Sequence, residues 1–326
     1  MVFDSAGLLK LAVIRHQFKG DEKFIDVNAP FDYHWPKVKN PNAFSGKPVE
    51  SVSTHRGRFL WVPYYRRSYD DRASEPSAMA IINTSTNEIV RVVGTGPIAK
   101  YVQASPDGRF LAVSHWGDNT VGVFHIRGND PKKFKEFTKL LVDRPLAKAQ
   151  MAGNRDSNCG FCVRGLSYSA DSRYLFVARM RKGGIAVFDL LARTKPNYLG
   201  TVYGVDPGSR DLQIQSGILY TGGNASGFIE RVPVNRLLES LKGKPSGSAV
   251  TIRLDDLGGV KTFAGTGVRS LKLTPDGKYL FVAVNKISEL QVYSAADHSN
   301  SRRKTVFATS KGFAGTVENL FRRLLT

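Results

Sequence analysis

Lys100-Tyr-Val-Gln-Ala-Ser-Pro-Asp-Gly-Arg-Phe-Leu-Ala-Val113 runs without a gap into Ser114-His-Trp-Gly-Asp-Asn-Thr-Val-Gly-Val-Phe124. The first run alternates and ends on Pro-Asp-Gly, where proline presets φ and glycine takes the positive-φ position of a tight turn. A second apolar run returns, as the partner strand of a hairpin does. The Gly-Asp-Asn loop then opens a third strand at 121–124. A fourth, more polar strand follows each unit, as at 88–93 and 304–307.

The unit recurs. Arg164-Gly-Leu-Ser-Tyr-Ser-Ala-Asp-Ser-Arg-Tyr-Leu-Phe-Val-Ala178 precedes a third strand at 184–189, and Arg269-Ser-Leu-Lys-Leu-Thr-Pro-Asp-Gly-Lys-Tyr-Leu-Phe-Val-Ala283 precedes one at 289–293. Looser copies begin at Glu50 and Arg210, with shorter turns. A period of about 45 to 65 residues suits propeller blades and not the helical solenoids. The copies are rich in Val, Tyr, Phe and Thr, which favour strands. Their second strands are nearly continuous apolar runs, as a sheet covered on both faces requires.

The expectation is therefore an all-β chain, a β-propeller of four-stranded antiparallel blades. Five blades are written in the sequence, and about six or seven are expected in total. Residues 1–326 read as one propeller domain with clear repeats within 48–308 and a basic insertion at 129–155. Segments 8–14 and 23–27 are candidate outer strands of a further blade. Its inner strands would come from 313–321, although 317–325 has a helical pattern.

Charge narrows the partners. The chain carries 47 Lys+Arg against 28 Asp+Glu, a net charge of +19, a field that attracts polyanions. Nucleic acid is not expected, because no zinc-finger spacing, basic heptad helix or aromatic RNP strand is present. No run approaches the ~20 apolar residues of a transmembrane helix. The run at 7–14 is short, is interrupted by Lys10 and does not read as a signal peptide.

Alignment of the copies places Glu50, Lys100, Arg164, Arg210 and Arg269 at the opening of the first strands. In a propeller these positions share one height around a central channel, so four cations and one acid would ring its mouth. Convergent guanidinium and ammonium groups suit carboxylate or phosphate. Each could instead pair locally at its strand start.

Other candidates lie in loops. Tyr64-Tyr-Arg-Arg-Ser-Tyr-Asp-Asp-Arg72 is a long insert whose Tyr65 and Arg67 are residue types found at binding hot spots. A self-paired solvated loop is the plain alternative. His115 and Trp116 follow a second strand, where an aromatic pair could stack on a sugar or simply pack. Cys159-Gly-Phe-Cys162 holds both cysteines. Zinc would need two further ligands, and c-type haem needs a His where Val163 stands, so neither metal nor cofactor is expected. A disulfide in an oxidising compartment is the preferred reading, with free thiols the alternative. It implies a periplasmic or cell-surface location; without it, the cytoplasm fits.

Residues 105–124 resemble the repeat of the YVTN family of bacterial and archaeal propellers. That pattern runs Ser-Pro-Asp-Gly-Lys-Tyr-Val-Tyr-Val-Thr-Asn and then Gly-Asp-Asn-Thr-Val. Here His115 and Trp116 replace the usual residues. The resemblance implies the fold over about residues 48 to 308. Its relatives include lactonases and, more remotely, haem d1 and quinone-dependent propellers.

Two functions of different class follow. The expected one is a non-enzymatic envelope protein that recognises an anionic small molecule, an acidic polysaccharide or a partner protein on one propeller face. The alternative is a lactonase-like hydrolase or lyase at the same mouth. There Arg164, Arg210 and Arg269 would polarise the lactone, and Glu50 would assist proton transfer.

Overall fold

The structure is a computed structural model. It describes residues 38, 39, 48–191 and 195–298, and the backbone alone of 2–3, 10–12 and 300–305. Among the described residues, five antiparallel sheets of four or five strands follow one another along the chain. Sheet 1 is Val52–Thr54, Phe59–Pro63, Ser77–Asn83 and Glu88–Thr95. Sheet 2 is Ala99–Ala104, Phe110–His115, Thr120–His125 and Lys135–Leu141. Sheet 3 is Val163–Tyr168, Tyr174–Arg179, Ile185–Asp189 and Asn197–Tyr203, with Ser248–Thr251 added at its edge. Sheet 4 is Ser209–Gln215, Ile218–Gly223, Phe228–Pro233 and Val260–Phe263. Sheet 5 is Val268–Leu273, Tyr279–Val284, Glu289–Ser294 and Asn300–Thr305.

The recurrent turn has a chemical reason. In sheet 2 the Ser105 hydroxyl donates to Asp107 Oδ1 at 2.7 Å, the Arg109 N–H donates to the same oxygen at 2.9 Å, and the Phe110 N–H donates to Ser105 Oγ at 2.9 Å. Ser169, Asp171, Arg173 and Tyr174 repeat the set in sheet 3, and Thr274, Asp276, Lys278 and Tyr279 in sheet 5. A hydroxyl and a carboxylate thus satisfy the backbone donors of the reversal, which is why Ser/Thr-x-Asp recurs at a fixed spacing. The hydrogen bonds to the ionised form hold the Asp107 and Asp171 carboxyls below their usual range, against the opposing effect of burial.

The chain divides into two compact units. Lys23–Thr201 with Gly243–Ala249 forms the N-terminal unit. Val202–Lys242 and Val250–Thr326, with Met1–Glu22, form the C-terminal unit. In the N-terminal unit, sheets 1 and 2 close over a core of Phe59, Trp61, Ile81, Val113, Phe124 and Phe134. Sheets 2 and 3 close over Tyr101, Phe110, Phe161, Leu166, Val177 and Phe188. In the C-terminal unit, sheets 4 and 5 close over Tyr220, Ile229, Leu271, Val282 and Tyr293. Second strands such as Phe110–His115 are buried at every position, so both faces of the sheet are covered.

Segment 129–155 holds more than an insertion: it contains the 3-10 turn Pro131–Lys133, the fourth strand Lys135–Leu141 and the helix Lys148–Ala152. Near the N-terminus, Lys10–Ala12 pairs with Val2–Phe3 in a two-stranded sheet. The other segments considered for a further blade, 23–27 and 313–325, lie outside the described residues. Among the described residues no helix is long and apolar enough to cross a membrane.

Candidate functional site

Within the N-terminal unit the first strand of sheet 2 lies beside those of sheets 1 and 3. Two of the residues that open these strands, Glu50 and Arg164, meet across that arrangement. Arg164 Nη2 donates to Glu50 Oε1 at 2.8 Å, with Glu50 7% and Arg164 4% exposed. The partners belong to sheets 1 and 3, so the ion pair spans the end of the sheet between them. A buried charge pair needs close geometry to offset its desolvation, and removal of one partner leaves a costly lone charge.

Lys100 opens the strand in between. Its ammonium lies 4.0 Å from the Tyr65 ring centroid and 5.2 Å from that of Trp116. Two aromatic faces hold the cation without neutralising it. Tyr65 in turn hydrogen-bonds Asp156. Burial first, and the Asp156 carboxylate second, push its phenol well above the usual range, so it stays protonated. The Trp116 indole donates to the Asp156 carbonyl at 2.9 Å.

The loops that carry these groups are tied together. Asn154 Nδ2 donates to the Asp71 carbonyl at 3.0 Å, and the Arg155 N–H donates to the Arg72 carbonyl at 2.8 Å. Cys159 and Cys162 form a disulfide, 1% and 2% exposed, two residues before Arg164. Asn119, held at φ 59°, places its Oδ1 to accept from the Phe161 N–H at 2.8 Å. The Gly-Asp-Asn-Thr turn of sheet 2 therefore grips the loop that leads to Arg164.

Two candidates move out of the site. His115 is fully buried rather than facing a ligand. Its Nε2 accepts from the Gly96 N–H at 3.0 Å, so the proton sits on Nδ1 and is donated to Thr120 Oγ1 at 2.8 Å. The Thr120 hydroxyl in turn donates a hydrogen bond to Asp118 Oδ1 at 2.6 Å. Burial lowers the His115 pKa to about 3. A Cβ at residue 96 would come within 2.4 Å of the His115 ring, so glycine is required there. Arg67 is likewise buried, donating from Nε to the Pro76 carbonyl at 2.8 Å beside Glu75. It braces the 64–76 loop that presents Tyr65.

The five strand-opening residues divide between the units. Glu50, Lys100 and Arg164 belong to the N-terminal unit, whereas Arg210 and Arg269 belong to the C-terminal one. Arg210 is 9% exposed, and Arg269 is half-buried. The C-terminal unit holds a charged group that the repeats did not point to. The Asp206 N–H donates to Glu230 Oε2 at 2.8 Å, and Lys261 Nζ lies 3.6 Å from a carboxylate oxygen of each. Burial raises the Glu230 pKa to about 6. Among the described residues no three His, Cys, Asp or Glu gather as a metal site.

No protein-family model and no curated protein matches the chain. Solved structures do. A candidate 6-phosphogluconolactonase from Bacteroides fragilis matches with a TM-score of 0.56 at 16% identity, over 83% of this chain and 72% of that one. A candidate 6-phosphogluconolactonase from Bacteroides uniformis matches with a TM-score of 0.55 at 16% identity, over 79% and 72%. The periplasmic gluconolactonase of Pseudomonas aeruginosa matches with a TM-score of 0.51 at 18% identity, over 79% and 69%.

The likeness is one of fold. These neighbours are β-propeller proteins, and the succession of four-stranded antiparallel sheets here is consistent with their architecture. They also correct the functional expectation. A non-enzymatic binding propeller was expected, yet these neighbours bear lactonase names, which favours the hydrolytic alternative.

Proposed function

We propose that the chain is a propeller of the YVTN kind that hydrolyses a sugar lactone at the end of the N-terminal unit where the strands opened by Glu50, Lys100 and Arg164 lie side by side. The observation that carries the reading is the buried Glu50–Arg164 ion pair beside a cation held between Tyr65 and Trp116. The likeness to lactonase-named structures supports the choice of reaction.

Each group has a role in lactone opening. Glu50 accepts a proton from the attacking water as its oxygen bonds to the acyl carbon. Arg164 and Lys100 stabilise the oxyanion that forms, in a site where low dielectric strengthens their effect. The tetrahedral intermediate collapses with cleavage of the acyl–ring oxygen bond, and the proton held by Glu50 passes to the departing alkoxide. Tyr65 and Trp116 offer flat apolar faces to a sugar ring. The Cys159–Cys162 disulfide favours an oxidising compartment such as the periplasm.

Acid release from glucono-1,5-lactone and its 6-phosphate, followed with a pH indicator against the spontaneous rate, tests the reading. Glu50→Gln should lower kcat/KM by about a hundredfold or more, within the range general bases contribute. A wild-type rate no faster than the spontaneous one on either lactone overturns it.

A further inference from the structure

At the opposite end of sheets 1 and 2 from Lys100 lies a second polar cleft, of about 940 Å³. Lys100 stands at the start of Ala99–Ala104, and the Ser105–Gly108 turn that forms one wall follows its end. The turn after Val52–Thr54 forms a second wall, and the segment after Thr120–His125 a third. All three belong to the N-terminal unit.

The charge in this cleft is not balanced. Arg56, Arg109 and Arg127 line it, with Asp107 as the one carboxylate among its lining residues. Asp107 is already engaged by Ser105 and by the backbone and Nε of Arg109. Arg56 and Arg127 are exposed, and among the described residues neither guanidinium makes a hydrogen bond or ion pair. The two come from different sheets and face one space.

The walls are fixed before any ligand arrives. His55 Nε2 lies 2.8 Å from the Ile126 carbonyl and Nδ1 lies 2.9 Å from Thr54 Oγ1, which ties the sheet 1 turn to sheet 2. The same ring stacks on buried Phe134 at 5.1 Å. His55 and Arg56 both hold left-handed φ values, 54° and 55°. They are the central residues of the reversal that the Gly57 N–H closes on the Thr54 carbonyl at 3.1 Å, a hairpin turn that takes positive φ at both positions. That turn sets Arg56 at the rim.

We propose that this cleft is a second ligand site, separate from the lactone site, that binds the phosphate group of a small phosphorylated molecule between Arg56 and Arg127. Two uncompensated planar forks suit a dianion, since each guanidinium donates two parallel hydrogen bonds to phosphate oxygens. The volume accommodates a ligand of sugar-phosphate size.

Calorimetric titration of the full chain with inorganic pyrophosphate tests the assignment. The expected result is one strong site, weakened about tenfold by Arg56→Gln or Arg127→Gln and abolished in the double variant. Arg253→Gln, which removes an exposed arginine of the C-terminal unit, should leave binding unchanged. Circular dichroism of each variant separates lost binding from lost folding. No binding by the wild type, undiminished binding by the folded double variant, or equally tight binding of malonate overturns the proposal. Lactone hydrolysis is not the readout, so this site stands or falls apart from the proposed reaction.

Discussion

Two buried titratable side chains set opposite pH responses. His115 is neutral in the fold with a pKa of about 3, against about 6.5 for an unperturbed histidine. Its depressed value contributes stability above pH 6.5 that is lost as pH falls towards 3. Protonation would also turn an N–H towards the Gly96 N–H that now donates to it. Glu230 is the reverse case, raised to about 6, so it favours the fold at low pH and loses that contribution as pH rises through 6. Glutamine at either position keeps an acceptor and does not titrate. Between pH 7.5 and pH 5 the wild type should therefore lose about 2 kcal/mol more unfolding free energy than His115→Gln. It should lose about 1 kcal/mol less than Glu230→Gln over the same interval. Urea denaturation at the two pH values reads both differences, and equal slopes in wild type and variant would refute the corresponding assignment.

At the level of the element, the hairpin turn carries the repeat. Asp171 accepts from the Ser169 hydroxyl at 2.5 Å and from the Arg173 N–H at 3.1 Å. Asp171→Ala removes the one oxygen that accepts from both, so the Arg173 N–H and the Ser169 hydroxyl are left to water, at a cost of about 1–2 kcal/mol. Chemical denaturation should show a lower midpoint with an unchanged slope, and a variant as stable as the wild type would refute that role. Such turns were legible because their chemistry is local: hydroxyl, carboxylate and glycine stand within a few residues of the hydrogen bonds they make. Asn119 was less legible. The Gly-Asp-Asn-Thr stretch announces a turn, but nothing nearby in sequence shows that its side chain reaches Phe161. The same limit hid the dual nature of 129–155, where basic residues obscured the fourth strand Lys135–Leu141.

Across the whole molecule, what could be read followed sequence separation. Aligned copies put Glu50 and Arg164 at equivalent strand starts, and the two meet in one ion pair across 114 residues of chain. Asp156 and Lys261 went unremarked, because each gains its meaning from partners that no repeat position marks. His115, open in the sequence between packing and stacking on a ligand, packs: a residue at a strand end can point into the core as readily as towards a ligand. Net charge is the one property that needs no alignment. With 47 basic and 28 acidic side chains, the excess of 19 positive charges makes the compact state repel itself more than the expanded chain does. Salt screens this over a Debye length that falls from about 30 Å at 0.01 M to about 8 Å at 0.15 M. The buried Glu50–Arg164 pair is shielded from this salt and is weakened little by it, whereas Arg179–Asp143, whose carboxylate is exposed, is screened. The melting temperature should therefore rise by a few degrees between about 0.01 M and 0.15 M sodium chloride. Differential scanning fluorimetry in a neutral buffer measures it. A fall over that interval would mean that attractive surface pairs, not the net charge, dominate the electrostatics of this chain.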